Sequence, residues 1–433
     1  MSHVPHPRRA LLVWGVAVAA YVVAILNRSS FGVATIEVRE LFGVSSALIA
    51  SMAVAQLVVY AALQVPVGVL LDRYGPRVLI ATGALVMAIG QAVLALAPAA
   101  GWVLAGRVLV GAGDALTFVS VVRLVPAWFA PRQVPVLTQL TGSIGQLGQV
   151  LSAIPVVALL HAQGWRTTFL SVAALGVLAT ALALAVIRDA PPAVEIDPDA
   201  PPGDRVGFLA RLRAASAAPR DPGALRAVLA EPGTRLAFWM HFSGQFSNHV
   251  VVLLWGYAFF VEGEGLSPGE ASALLTLNVV AGVVAGPVIG ALVGRRPRLR
   301  MPLAVGTLLA IGAVWLAVLV PPVPVPWPVL ALFVVVVAVG GPISLVSFDV
   351  ARSSNPVSRL GTATGFVNTG GFIGAFVTML VIGLLLDRVG GGVRDLDAFR
   401  VAFACVVVPW AVGMAGMLHG ARVVRRRHPG IDL

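Results

Sequence analysis

Apolar residues gather into twelve runs, at 11–33, 46–71, 78–98, 102–124, 136–160, 168–187, 236–260, 270–294, 302–320, 328–349, 361–386 and 399–419. A helix that crosses a bilayer needs roughly 20 mostly apolar residues. The pattern predicts an all-α membrane protein with twelve transmembrane helices. The first run is longer than the apolar core of a cleavable signal peptide and many runs follow it, so it reads as a span. One long polar connection, 188–234, separates six runs from six. It opens with Pro191, Pro192, Pro198, Pro201 and Pro202 among Glu195, Asp197, Asp199 and Asp204, the composition of a flexible linker. From Val206 to Ala230, Phe208, Leu209, Leu212, Leu225, Val228 and Leu229 alternate with Arg211, Arg213 and Arg226, which suits short amphipathic helices along a membrane surface. Pro321–Pro328 reads as a tight outer turn between spans 9 and 10.

The two halves echo each other. Gly43, Ser45 and Gly68 recur at a shift of 222 as Gly265, Ser267 and Gly290, bracketing span 2 and span 8. Thr141, Gly142 and Gly148 of span 5 recur at a shift of 223 as Thr364, Gly365 and Gly371 of span 11. Arg166 and Phe169 return as Arg400 and Phe403, shifted by 234 across a longer outer loop. In order and at nearly constant offset, these matches predict two pseudo-symmetric six-helix bundles, over 1–187 and 235–433, with a cytoplasmic linker over 188–234.

Composition narrows the class. With 58% hydrophobic and 11% charged residues, a disordered, nucleic-acid-coating or disulfide-scaffold protein is excluded. All 30 basic residues are arginine and exceed the acidic ones by eleven. If both termini are cytoplasmic, 23 arginines fall on the inner side and five on the outer side (Arg39, Arg166, Arg388, Arg394 and Arg400), so the positive-inside bias favours that orientation. The lone cysteine, Cys405, reads as a packing residue.

After span 2 comes Gly68-Val69-Leu70-Leu71-Asp72-Arg73-Tyr74-Gly75-Pro76-Arg77. It resembles the G-x-L-x-D-R-x-G-x-R/K signature of the major facilitator superfamily. Gly68 would allow close helix approach, Asp72 would sit by a neighbouring helix N-terminus, and Arg73 and Arg77 would bridge to carbonyls or acids at the inner face. With Gly75 at the turn, these residues form a candidate conformational gate. The second-half counterpart, Gly290-Ala291-Leu292-Val293-Gly294-Arg295-Arg296, has Gly294 where the acid belongs, so the charge lock is expected mainly in the first half. Span 4 carries Arg107-Val108-Leu109-Val110-Gly111-Ala112-Gly113, similar to the superfamily's R-x-x-x-G-x-G pattern. Span 5 has Gly142, Gly145 and Gly148 but lacks the Gly-Pro pair of drug/proton antiporters.

Three permanently or readily charged residues lie well inside spans: Arg28, Arg107 and Asp114. Each costs about 2.5–3.5 kcal/mol near the bilayer centre unless it faces a cavity or a partner. Their sum of +1 leaves one guanidinium without a protein counter-ion, and an anionic substrate would supply it. The segment from Tyr21 to Ala34 resembles helix 1 of the organic-anion and organophosphate carriers of the superfamily, in which the matching arginine binds the substrate's anionic group. That resemblance implies substrate binding by Arg28, with Tyr21 seven residues earlier on the same helical face. The organophosphate carriers use a second cavity arginine in the other half, and spans 7 and 8 here carry none. The competing explanation is a purely structural pairing of Arg28 with an acid on span 4. Asp114, with Arg107 in a supporting role, is the candidate for proton coupling; a permanent ion pair is the alternative reading. Uncharged candidates for substrate contact are Tyr60, Gln146, Gln245, His249 and Asn368. His241, Gln245 and His249 form a one-face stripe on span 7, for which interhelical hydrogen bonding is the alternative explanation, and Gln56, Tyr60 and Gln64 stand at the same spacing on span 2.

The resemblance implies a secondary transporter in the cytoplasmic membrane that moves a small organic anion, with protons as the coupling ion, by alternating access. Its expected surroundings are the lipid bilayer, with no nucleic acid, no metal, no cofactor and a monomeric state. A proton-coupled exporter of cationic or drug-like compounds, or a non-transporting membrane sensor, are the rival readings. No nucleophile–base pair or phosphate loop suggests an enzyme.

Overall fold

The computed structural model describes residues 7–191, 223–389, 395–427, 430, 432 and 433. Most of the 188–234 connection, with its proline-rich opening and much of its amphipathic stretch, lies outside the described residues. Among the described residues all regular structure is helical: α1 (Pro7–Ser29), α2 (Thr35–Phe42), α3 (Ser46–Ala95), α4 (Ala100–Ala115), α5 (Phe118–Trp128), α6 (Val134–Gly145), α7 (Leu147–Leu151), α8 (Val157–Val186), α9 (Ala224–Ala230), α10 (Pro232–His249), α11 (Pro268–Arg295), α12 (Arg300–Leu319), α13 (Trp327–Ser354), α14 (Leu360–Val389), α15 (Leu396–Phe403) and α16 (Val407–Arg427).

Nine helical stretches among the described residues are long and apolar enough to cross a membrane. Two of them, Ser51–Ala95 with 45 residues and Val134–Val186 with 53, far exceed the roughly 20 residues of one crossing. Each is broken at a glycine in a conformation that side chains resist, Gly75 at φ 80° and Gly164 at φ 73°. These glycines lie between the apolar runs that the sequence separates at 71/78 and 160/168. The run at 236–260 is not among the nine. Its α10 portion carries His241, Gln245 and Asn248, with Arg235 just before it, and the helix continues as π-type turns over Val250–Trp255 and Phe259–Gly263.

The chain divides into two compact units. The first comprises 1–134, 141–225 and 358–365; the second comprises 135–140, 226–357 and 366–433. In the first, Phe31, Val38, Ile49, Met52, Leu94, Val103 and Phe169 form a buried cluster beside Trp165, whose indole donates to the Leu94 carbonyl at 3.0 Å. In the second, Phe259, Trp315, Phe333, Phe399 and Phe403 make an aromatic core, and Trp315 donates to Ser247 Oγ at 2.7 Å. The repeated Phe169 and Phe403 are thus each buried in the core of their own unit.

The Gly-x-Ser repeats also do the same local work. Gly43 (φ 62°) and Gly265 (φ 70°) take left-handed turns, and two residues on Ser45 and Ser267 cap α3 and α11 by accepting from Leu48 N and Glu270 N. Ser267 adds a full capping box, its own N–H donating to Glu270 Oε2 at 2.9 Å. Close helix crossing rests on paired glycines. A Cβ on Gly83 would come within 2.7 Å of the Gly113 carbonyl, and one on Gly90 within 2.9 Å of the Gly106 carbonyl. Small residues of this kind let helices pack by dispersion where lipid offers no hydrophobic drive.

Candidate functional site

Three charged residues of the first unit, Arg28, Arg107 and Asp114, converge where α1, α3 and α4 meet. Arg28 stands in the last turn of α1, and its Nη1 lies 3.5 Å from Asp114 Oδ2 on α4. The Asp114 side chain is buried, whereas Arg28 keeps 23% of its side-chain surface exposed. The Arg28 guanidinium lies 5.8 Å from the Tyr60 ring centroid and donates to Tyr21. Tyr21 in turn packs on Gly145 and lies 5.1 Å, centroid to centroid, from Phe118. Arg107 is seven residues from Asp114, about 10 Å along the helix axis. It reaches Arg28 instead: its Nη2 donates to the Arg28 carbonyl at 3.3 Å, while its guanidinium sits 4.4 Å from the Phe31 ring centroid.

Hydrogen bonding in this cluster is conspicuously incomplete. Both Asp114 carboxylate oxygens, Nε and Nη1 of Arg107, and both amide atoms of Gln56 are buried with no hydrogen-bond partner among the described residues. A charge-bearing group buried this way is costly, and sites of this kind are filled by a ligand, water or a proton. The donors and acceptors left over surround a net charge of +1.

The second unit holds a neutral counterpart. His241 Nδ1 lies 3.0 Å from the Ser344 carbonyl and 3.3 Å from Ser347 Oγ, and the His241 ring also bonds to Asn368. A carbonyl partner fixes the Nδ1–H tautomer. Ser344 Oγ donates to Gln245 Oε1 at 2.9 Å, and Gln245 Nε2 lies 2.9 Å from His249 Nε2. His249 faces Phe372 with ring centroids 5.4 Å apart. Gln245, His249 and Asn368 therefore belong to one network, with His241 and two serines that the sequence reading did not single out as contacts. Gln146 stands apart, at the break between α6 and α7, where its Oε1 accepts from Gln149 at 2.8 Å.

The motif after span 2 builds a second centre in the first unit. Asp72 is half-buried and accepts from three donors at the start of α14: Gly361 N at 2.6 Å, Thr362 N at 2.7 Å and Thr362 Oγ1 at 2.7 Å. A carboxylate at a helix N-terminus satisfies orphan N–H groups and meets the positive end of the dipole. Gly68 is required beside it, because a Cβ there would meet the Gly361 carbonyl at 2.5 Å. Arg77 donates through Nη2 to the Leu184 carbonyl, and its backbone N–H donates to Asp189 Oδ1 at 2.8 Å. Asp189 also fills the space beside Gly75, and Arg123 interacts electrostatically with both Asp72 and Asp189. Arg73 stacks on Tyr74 at 5.4 Å. Asp189 and Thr362 were not foreseen, since their partners lie 112 and 290 residues away and no local spacing marks them. On the second unit, Gly290 meets the Pro135–Val136 backbone in the way Gly68 meets α14, with Gly294 at the motif's acidic position.

A family model described as Major Facilitator Superfamily matches residues 17–379. The chain is 27% identical over 158 residues to a protein of Escherichia coli (strain K12) named "Probable L-galactonate transporter", covering 36% of this chain and 35% of that one. It is 23% identical over 180 residues to "Probable sulfoacetate transporter SauU" of Cupriavidus necator (strain ATCC 17699 / DSM 428 / KCTC 22496 / NCIMB 10442 / H16 / Stanier 337), covering 42% of each. A third relative, 28% identical over 116 residues and covering 27% of this chain and 22% of its own, is "Nitrate/nitrite transporter NrtP" of Picosynechococcus sp. (strain ATCC 27264 / PCC 7002 / PR-6). The matched segments thus span less than half the length of these relatives. Among solved structures, the proton:xylose symporter XylE bound to 6-bromo-6-deoxy-D-glucose superposes with a TM-score of 0.67 at 14% identity, covering 94% of this chain and 96% of that one. FucP in the outward conformation gives 0.66 at 16% identity, covering 96% and 99%. FucP is a fucose:proton symporter of E. coli.

Proposed function

The chain belongs to the Major Facilitator Superfamily and is a membrane transporter, and from that premise we propose that it carries a small organic anion across the cytoplasmic membrane together with protons. In this reading it crosses the bilayer twelve times as two six-helix bundles, with both termini cytoplasmic, and works by alternating access about a midplane site. The observation that carries the substrate class is the buried Arg28–Asp114–Arg107 set, whose net positive charge and unpartnered guanidinium nitrogens call for an acceptor-rich anion. The relatives named for L-galactonate, sulfoacetate and nitrate/nitrite are named for two organic anions and for inorganic ones, which supports an anionic substrate.

The 3.5 Å contact between Arg28 and Asp114 supports the proton-coupling part of this reading. A proton on Asp114 removes the counter-ion of Arg28, and an anion at Arg28 replaces it. Proton and anion then favour each other's binding by the same factor, as linkage requires. The charge inside the unit is the same before and after, so neither ligand alone has to leave an uncompensated charge in a low-dielectric site. Structural neighbours that are proton symporters agree with this assignment of the coupling ion. Asp72 and its donors on α14, with Gly68, Gly75, Arg73 and Arg77, serve as the conformational gate, and Tyr21, Tyr60, Gln146, Gln245, His249 and Asn368 as substrate contacts.

Uptake by the purified protein in proteoliposomes tests the reading. Arg28→Ala abolishes uptake of every anion that the native chain transports, and uptake that survives the change refutes the substrate assignment. Asp114→Asn, fixed in a neutral form, keeps anion exchange but loses accumulation against a gradient. Accumulation driven by a proton gradient in that variant refutes the coupling role.

A further inference from the structure

We propose that Gln56 is a specificity-determining residue that reads a hydroxyl group on the transported anion, so that hydroxylated acids are preferred over their unsubstituted counterparts. The inference rests on the anion reading and adds to it the second functional group of the substrate.

Gln56 lies on α3, one turn before Tyr60, and only 1% of its surface is exposed. It packs against α4 at Gly111, whose missing side chain leaves room for it: a Cβ there would lie 3.0 Å from Gln56 Cγ. Gly111 stands four residues after Arg107 and three before Asp114, so all three share one face of α4. Helical side chains lean toward the helix N-terminus, which brings Asp114 back toward the Gly111 level. The amide is therefore beside the stretch of helix that carries the guanidinium and the carboxylate.

Nothing among the described residues bonds to either end of that amide. Buried amides are ordinarily satisfied, and a helix-lining glutamine with both atoms unmet costs stability that a leucine or methionine would not. The donor and acceptor inventory then selects the ligand. Nε and Nη1 of Arg107 and Nε2 of Gln56 are donors and take the oxygens of an anion. Gln56 Oε1 is an acceptor, as are both oxygens of Asp114, and a bare carboxylate or sulfonate has nothing to give them. A coupling proton provides a donor on Asp114 but leaves Gln56 Oε1 unmet. A hydroxyl next to the anionic group supplies that donor and accepts from Nε2 in return. Sites built to bond a hydroxyl discriminate strongly against the analogue that lacks it, because their own polar atoms are then left unpaired.

The test uses the full chain purified in detergent, with gluconate and hexanoate as probes, each titrated while the shift in thermal midpoint is read to obtain an affinity. The native protein binds gluconate at least about tenfold more tightly than hexanoate. Gln56→Met lowers that preference about tenfold, with a ligand-free midpoint equal to or above that of the native chain. An equal preference in the native and Gln56→Met proteins overturns the inference, as does a midpoint in Gln56→Met that falls by several degrees, which would make the residue a structural one. Arg28→Ala separates the two readings. If neither acid binds the native chain, or binding ignores Arg28, the anion reading fails and the inference falls with it. If both acids bind through Arg28 and the preference survives Gln56→Met, the inference alone fails.

Discussion

Removing the Asp72 carboxylate frees the start of α14. In the structure that one side chain holds three donors at 2.6–2.7 Å, two of them backbone N–H groups of a helix that has no other use for them. A hydrogen bond to a charged group contributes about 1.5–3 kcal/mol when fully desolvated. Asp72 is half-buried and the three donors share one charge, so about 2–3 kcal/mol for the set is the expected worth. That corresponds to about a 30- to 150-fold change in an opening equilibrium, at 1.36 kcal/mol for each factor of ten. Ala363, directly after the clamped residues, is fully buried. In a Cys405→Ser background, a cysteine introduced by Ala363→Cys reports that opening through its rate of modification by a water-soluble thiol reagent. Asp72→Ala is expected to accelerate labelling about 30- to 150-fold, and Thr362→Val, which removes one donor of three, about 5- to 10-fold. Equal labelling rates with and without the carboxylate, in a protein that still binds substrate, refute the claim that this clamp sets the equilibrium.

The helix caps of the two repeats are unequal. Ser45→Ala removes a single capping bond and costs about 1 kcal/mol, whereas Ser267→Ala breaks a reciprocal box and costs more, so its thermal midpoint falls further. Gly113→Val drives a side chain against the Gly83 carbonyl and Met87, and the overpacking costs about 1–3 kcal/mol, read as loss of thermal stability and of folded yield. Glu264 gives a pH dependence. It is buried in the connection before α11, accepting from Val325 N at 2.8 Å and facing Arg400, and burial raises its carboxyl above the ordinary range against both partners. The native state then holds its proton more tightly than the unfolded chain does. The stabilisation is complete below the ordinary carboxylate value and is lost as pH rises through the raised one. The thermal midpoint of the native protein should fall over that interval relative to Glu264→Gln, which carries no titrating group there, and parallel pH profiles for the two proteins count against the assignment.

Much of the fold was legible because membrane helices announce themselves by length and apolarity. The breaks at Gly75 and Gly164 lie in the short polar gaps of the pattern, and both need a positive φ that only glycine takes easily. The Gly-x-Ser repeats were weak as sequence coincidences. In the structure each is a left-handed turn followed by a serine cap, a single bond at Ser45 and part of a reciprocal box at Ser267. What was not legible is how individual stretches are shared between units. Residues 135–140 group with the second unit and 358–365 with the first, yet nothing in their apolar pattern sets them apart from the helices they belong to. Such groupings arise from close approaches at Gly290 and Gly68, which periodicity does not encode.

The candidate site was legible in proportion to how much each residue costs to bury. Arg28, Arg107 and Asp114 stand out in any apolar run because charge there is expensive, and the structure brings all three together with Tyr21 and Tyr60. Neutral polar residues carry no such flag. Gln56 and Gln245 sit in equivalent-looking stripes, but Gln245 is bonded at both ends within its unit and Gln56 at neither. The sequence pattern could not separate them, since the difference lies in whether a neighbouring helix offers a partner. Hydrogen-bond accounting does separate them. In the second unit, His241, Gln245 and Asn368 are bonded into a network that ties α10 to α13 and α14. In the first, both amide atoms of Gln56, Nε and Nη1 of Arg107 and both oxygens of Asp114, one of which faces Arg28 at 3.5 Å, are buried without a hydrogen bond among the described residues, at a standing cost in stability. Groups kept in that condition are the ones whose free energy would change most on binding a proton or an anion, and the proposed coupling is assigned to them for that reason.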